Sequence, residues 1–327
     1  MNVCVLHNEV SPEAAPDEQD VLVQASEISK SLEQLGHRVC RLAAGLDCAA
    51  VLTAVRDADT KTVFNLIESL AGSDALIHLY PGLLAAAGIP FTGSDATALF
   101  LSSNKLVAKR IMAGAGIPSP AYIDLSASFP PVAVPGTYIV KSATEHASVG
   151  LDSDCVIEIS SPEDARAART AFAQRFRSNR FFAEAFIKGR EFNLSILDGP
   201  NGLELLAPAE ILFNGFGGSP AIVGYNAKWR DASHEYINTQ RSFSFDTADH
   251  KLLAKLKCTA LTCWRAFGLR GYARVDFRVD SLGRPWVLEI NANPCLSGDA
   301  GFMAAAKKSG HAPETVVERI IQTAEVS

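Results

Sequence analysis

The sequence predicts an α/β protein: a parallel sheet with helices on its faces, then a run of strands and a final hairpin. Three observations carry that expectation. Strand-like and helix-like segments alternate from residue 2 to residue 67, the order in which crossover helices join parallel strands. Between Phe181 and Phe213 strand-like segments succeed one another without a helix. Residues 274–291, "RVDFRVDSLGRPWVLEIN", read as a hairpin around a DSLG turn.

Taken in order, "NVCVLH" is a strand and residues 20–35 are an amphipathic helix that Gly36 ends. "RVCRLAA", a helix near 47–56 and "TVFNLI" continue the alternation. The layout is Rossmann-like, but no GxGxxG follows the first strand, which argues against a dinucleotide oxidoreductase. "GIPFTGSD" (88–95) is turn-rich and marks a domain edge. Ser103 is the expected cap of a helix reaching about Ala113, stopped by Gly114, Gly116 and Pro118. "YIVKS" is a strand, and Ser161, Pro162 and Asp164 open a capped helix. "FFAEAFI", "EFNLSILD" and "LELLAPAEILF" are strands, followed by a glycine-rich loop over 214–231. A helix over about 247–267 precedes the hairpin, and another begins near Pro313.

A chain of 327 residues can hold two or three domains. Its 48% hydrophobic and 20% charged residues are ordinary for a soluble enzyme. A net charge of −6 without a basic run argues against a nucleic-acid partner. No signal-peptide pattern opens the chain, and no apolar run reaches membrane-spanning length, so no membrane partner is expected. The seven cysteines are scattered, with no CxxC pair, as in a reduced cytoplasmic protein. Nothing calls for a macromolecular partner, and a homodimer stays open.

The hairpin carries the chemistry. If Val279 pairs with Arg284, then Arg274 faces Glu289 and Asp276 faces Val287. Val275, Phe277, Val279, Trp286, Leu288 and Ile290 then share one face, and Arg274, Asp276, Glu289 and Asn291 share the other. Two carboxylates and an amide oxygen make a hard-oxygen set suited to Mg²⁺, with Mn²⁺ as a substitute. Spacing alone fits better a solvated strand face with an Arg–Glu pair.

The rest of the chain resembles the ATP-grasp ligases, specifically the D-alanine–D-alanine ligase family. The hairpin is similar to that family's metal-binding hairpin. "FTGSD" with "NKLVAKRIMAGAGIPSP", "YIVKSATEHASVGL", "FFAEAFIKGREF" and "GYNAKW" resemble, in the family's order, its central-domain helix, phosphate loop, adenine strand and mobile loop. The resemblance implies an N-terminal Rossmann-like domain (1–94), a central subdomain (95–182) and a C-terminal catalytic domain (183–327). The last two would be α+β units that sandwich ATP. It implies phosphate contacts from Lys105, Lys141 and the amides around Ser148 and Val149. Adenine and ribose would meet Glu184, Phe186, Ile187 and Glu191. Lys228 would reach the γ-phosphate from the lid, Asp276, Glu289 and Asn291 would hold Mg²⁺, and Arg274 would stand beside the reacting carboxylate. Glu18 would hold the first substrate's amino group, and Ser148 would serve catalysis as well as ATP. Among these, Lys105, Phe186, Glu191 and Glu18 also have plain readings, as surface or core residues.

The ends where substrates bind depart from the family. Glu68 stands in the place of a histidine, Ala147 of a serine and Trp229 of a tyrosine. In "NANPCLSGDAG", Cys295 replaces a glycine and Ala300 a serine, and Asp299 adds a charge. The expectation is an ATP-dependent ligase that joins a small acid to a small amine through an acyl phosphate, with substrates other than two D-alanines. The alternatives are a D-alanine–D-alanine ligase with a divergent pocket, an ATP-grasp kinase, or an ATP-binding module without ligase activity. Asp299 either favours a cationic acceptor or caps the helix "AGFMAAAKK".

Overall fold

The computed structural model describes residues 1–127, 134–176 and 180–326. Three sheets organise it. The first is parallel, in the order β2 (Arg38–Ala44), β1 (Asn2–Asn8), β3 (Thr62–Asn65). Its crossovers are α1 (Pro16–Gln34) and α2 (Cys48–Asp57). Pro16 at the head of α1 presets the first turn, so the helix starts four residues before the expected Asp20. Asp17 and Glu18 therefore sit in a helical turn rather than a loop. Gly36, at φ 82°, ends it as expected.

Helices α3 (Leu79–Ala86), α4 (Ala96–Ser103) and α5 (Lys105–Gly114) follow. Asn104, not Ser103, caps α5 by accepting from the Val107 amide at 3.2 Å. Ser103 instead ends α4, because two helices meet at that point. The second sheet is antiparallel, in the order β4 (Tyr122–Asp124), β7 (Phe181–Ala185), β5 (Gly136–Ser142), β6 (Val156–Ile159). Helix α6 (Pro162–Phe172) covers it and begins with the expected capping box of Ser161 and Asp164.

The third sheet runs β11 (Thr239–Ser242), β10 (Ala209–Phe213), β8 (Arg190–Leu197), β12 (Tyr272–Val279), β13 (Pro285–Asn291), with β9 (Glu204–Leu205) paired to β8. Pro208 lies in the break between β9 and β10, where the sequence suggested one strand; it has no amide to give to a ladder. The loop before β11 carries two short helices, α7 (Tyr225–Trp229) and α8 (His234–Asn238). Helix α9 (His250–Ala266) backs the sheet, and α10 (Gly301–Lys308) and α11 (Pro313–Gln322) close the chain.

The hairpin differs from its expected register. Val279 pairs with Pro285, and a bulge at Leu288 lets Asp276 face Glu289 and Arg274 face Asn291. The extra residue resolves a conflict of parity. Val287 is fully buried with Phe277, while Glu289, two residues on, must turn to the opposite side. Without the bulge both would share one face. Trp286 and Leu288 are accordingly only half-buried.

Candidate active site

One cavity of about 620 Å³ lies where the three sheets converge. Every sequence-predicted site residue lines it: Glu18, Lys105, Lys141, Ser148, Val149, Glu184, Phe186, Ile187, Glu191, Lys228, Arg274, Asp276, Glu289 and Asn291. Its size suits a nucleotide with small substrates.

The bulged hairpin forms the floor. Asp276 accepts from Arg274 Nε and Nη2, both at 2.8 Å, from Asn193 Nδ2 at 2.7 Å and from Asn291 Nδ2 at 3.1 Å. Asn291 Nδ2 also reaches Glu289 at 3.3 Å. Burial would raise the Glu289 carboxyl, but Lys105, Lys228, His146 and Arg274 outweigh it and hold the group well below the usual carboxylate range. Burial, partly offset by Glu289, lowers Lys105 and Lys228. Asp276 and Glu289 face each other, and rotation of the Asn291 amide would present its oxygen beside them, an oxygen set that a hard divalent cation would fit. The set is two carboxylates and an amide. Among the described residues no group of three or more His, Cys, Asp or Glu gathers for a metal.

At the nucleotide end, Glu184 bridges two lysines, Lys141 and Lys109, each at 2.5 Å. Lys109 is buried and also donates to Ser119 Oγ and Pro120 O. Burial would raise Glu184, but the two ammonium groups keep it ionised. Lys105 is buried rather than solvated and donates to Glu145 O at 2.6 Å. Phe186, partly buried, packs against the core of the second sheet and also faces the cavity, with the Arg278 guanidinium 5.7 Å from its ring centre. Arg278 also pairs with Glu191, and both contacts use Oε2. Burial nevertheless leaves Glu191 raised, because Arg278 only partly offsets it.

The phosphate-loop candidate is strained. Ala147 and Ser148 take φ of 55° and 61°, costly for residues with a Cβ. They are held by contacts from the lid: Trp229 Nε1 donates to Ala147 O at 2.9 Å, and Ser148 Oγ donates to Val223 O at 2.8 Å. The same loop also reaches α1, where Tyr225 Oη donates to Asp17 Oδ1 at 2.7 Å.

The substrate end holds residues that pattern reading passed over. Gln24, buried in α1, donates to Glu68 Oε1 at 2.8 Å and accepts from the Leu296 amide at 2.9 Å. It locks the first domain to the loop after β13. Burial, reinforced by Asp20, Asp74 and Asp17 but eased by Gln24, pushes Glu68 up to about 7. The Cys295 thiol donates to Asp20 at 3.0 Å, and burial with Glu68 and Asp20 keeps it protonated. Ala300, not Asp299, is the residue before α10, and no side chain caps that helix. The capping role suggested for Asp299 therefore fails: its carboxylate is one residue too early in the chain. Arg241 lines this end too. No sequence motif marks Arg241, whereas Lys109 could have been found from its four-residue spacing after Lys105 on one helix face.

Comparison with known proteins agrees with this geometry. Residues 133–322 match the family model described as D-ala D-ala ligase C-terminus. The D-alanine–D-alanine ligase of Synechococcus sp. (strain JA-3-3Ab) is 30% identical over 333 residues, covering 99% of this chain and 94% of that protein. That of Gloeobacter violaceus is 30% identical over 330 residues, covering 98% of each. Among solved structures, D-alanine–D-alanine ligase from Bacillus anthracis complexed with ATP superposes with a TM-score of 0.74 at 20% identity, over 99% and 97% of the two chains. D-alanyl-alanine synthetase A from Vibrio cholerae gives 0.73 at 18%, over 98% of each. These two likenesses establish the fold. With its family model and full-length relatives in agreement, the chain belongs to the D-alanine–D-alanine ligase family and is an ATP-grasp ligase.

Proposed function

We propose that the protein joins the carboxylate of one small amino acid to the amine of another, consuming ATP and releasing ADP and phosphate. The observation that carries this reading is the meeting of three features in one cavity. These are a paired-carboxylate hairpin, buried lysines around a strained loop, and a lid that touches the N-terminal helix.

ATP lies with its adenine along Glu184, Phe186 and Ile187 and its ribose toward Glu191. Its phosphates lie among Lys105, Lys141, Lys228 and the amides around Ser148 and Val149. Asp276, Glu289 and Asn291 hold Mg²⁺, which when bound neutralises charge on the transferring phosphoryl group. The donor carboxylate attacks the γ-phosphate and forms an acyl phosphate; the amine then attacks its carbonyl carbon and phosphate leaves. Arg274 releases Asp276 to stand beside the reacting carboxyl, where it offsets the oxyanion. Glu18, in the first turn of α1, faces the donor's amino group. The closed lid keeps water from the acyl phosphate.

Two substrate readings rest on different observations. The relatives' names favour two D-alanines. Cys295, Asp299 and Ala300 favour another pair. Phosphate release over a panel of D- and L-amino acids, singly and in pairs, is the test. Release that requires an acid and an amine together supports the ligase. Phosphorylated product with a single substrate and no amine indicates a kinase and defeats the reading. D-alanine alone reaching the rate of the best pair selects the D-alanine–D-alanine reading.

A further inference from the structure

The acceptor end of the cavity contains a cation that the mechanism above leaves idle. Arg241 projects from β11 toward the start of α10. Its Nη1 donates to the Asp299 carbonyl at 3.4 Å. Its Nη2, Nε and Cζ lie 3.6, 3.8 and 3.9 Å from where a Cβ on Gly301 would stand. Arg241 is exposed to the cavity and, among the described residues, has no salt bridge. Burial lowers it and the nearby positive charge of Arg274 lowers it further, while Asp299 partly offsets both. Arg241 thus stands beside a helix start that has no side-chain cap, within electrostatic reach of the Arg274 guanidinium. The hydroxyl that the family pattern places at position 300 is absent here, where the residue is alanine.

We propose that Arg241 is a specificity-determining residue that binds the carboxylate of the amine acceptor, in place of the missing hydroxyl. The acceptor is then an amino acid with a free carboxylate. A guanidinium presents a planar fork that fits a carboxylate in two parallel hydrogen bonds. The guanidinium lies alongside Gly301, where a Cβ would stand in ordinary van der Waals contact with it. Asp299 meets Arg241 through its backbone carbonyl, and its charge favours the protonated guanidinium, so the site keeps a cation for the acceptor's carboxylate. This reverses the acceptor charge that Asp299 alone suggested. The proposal rests on the ligase reading, and its test separates the two.

Arg241→Gln and Arg241→Lys are compared with wild type in coupled phosphate release. D-alanine is the donor, and D-alanine or D-alaninamide is the acceptor; the assay is repeated with the fastest amino acid of the panel and its amide. Wild type should prefer the free acid. Arg241→Gln should raise KM for the acid acceptor by about tenfold or more, the scale of a lost charge-assisted hydrogen bond. It should leave KM for ATP unchanged and erase the acid-over-amide preference. Arg241→Lys should keep part of that preference. An unchanged acid-to-amide ratio in Arg241→Gln, or a loss that falls on ATP instead, overturns the Arg241 assignment alone. Wild-type phosphate release that needs no amine overturns the ligase reading, and the assignment falls with it.

Discussion

Glu289 stands opposite Asp276 in the bulged hairpin, and the cations of Lys105, Lys228 and Arg274 act on it. Glu289→Gln removes that charge while keeping the size. Turnover should fall by at least about two orders of magnitude, the scale of losing one preorganised electrostatic contact. Lys105, Lys228 and Arg274 then repel one another across a wet cavity, so thermal stability should drop slightly rather than collapse. Activity within a few-fold of wild type at saturating Mg²⁺ and ATP would remove Glu289 from the metal set. Glu68 makes a different prediction. Its folded pKa, about 7, lies above an unfolded value near 4.5. The folded state therefore binds more protons across that window, and stability falls as pH rises through it. Glu68→Gln should be more stable than wild type at pH 8, with the gap closing toward pH 5. Melting curves whose difference is flat from pH 5 to pH 8 would contradict this. Residues such as Asp276 and Lys141 were legible because a charge inside an apolar strand requires a partner. Arg241 and Gln24 were not, because a polar residue on a polar segment carries no local signal; only the fold brings it to the cavity.

Helices with strong periods and good caps were legible as elements. Helix α6 begins where Ser161, Pro162 and Asp164 place it. Helix α3 was hidden because it contains Pro81 and Gly82, which argue against a helix, although its position on the sheet overrides them. The Leu288 bulge was hidden because register follows from burial on both faces, and a local pattern shows only one solution at a time. Helix α7 lay unseen in a glycine-rich loop, yet it carries Lys228 and the contacts of Tyr225 to Asp17 and of Trp229 to Ala147, which would hold the proposed lid closed. The bond from Tyr225 to the Asp17 carboxylate joins the lid to α1, and a hydrogen bond to a charged group is worth about 1.5–3 kcal/mol. Tyr225→Phe should lower the closed population roughly tenfold. Water then competes with the amine for the acyl phosphate. The expected readout is ADP formed in excess of ligated product, with ATP affinity nearly unchanged. Equal amounts of ADP and product in the variant would show that closure does not depend on this bond.

At the scale of the molecule, the cores do not follow the order of the chain. The β4–β7 sheet has its own core of Ile123, Leu125, Val140, Ile159, Phe172 and Phe181 among others, all between residues 123 and 222. The first sheet instead shares a core with the far end of the chain. Val3, Val5, Ile28 and Leu32 pack with Tyr272, Leu296, Phe302 and Ile320, and α11 lies against α1. The alternation of strands and helices was enough to read a parallel first sheet. Nothing local could show that the last helix completes its core, because that contact spans nearly the whole sequence. The consequence is that the first and third sheets should open together and the second should open alone. In hydrogen exchange under rising denaturant without nucleotide, amides of β5 and β7 should lose protection before those of β1, β8 and β12, which should go as one group. On the proposed placement of ATP, a non-hydrolysable analogue with Mg²⁺ would bridge Lys141 and Glu184 on the second sheet to Glu289 and Asp276 on the third. It should therefore raise protection most in β5 and β7 and bring the two transitions together. Separate transitions for β1 and β12, or a nucleotide that leaves β5 and β7 unprotected, would show that neither the shared core nor the bridging site couples the parts in this way.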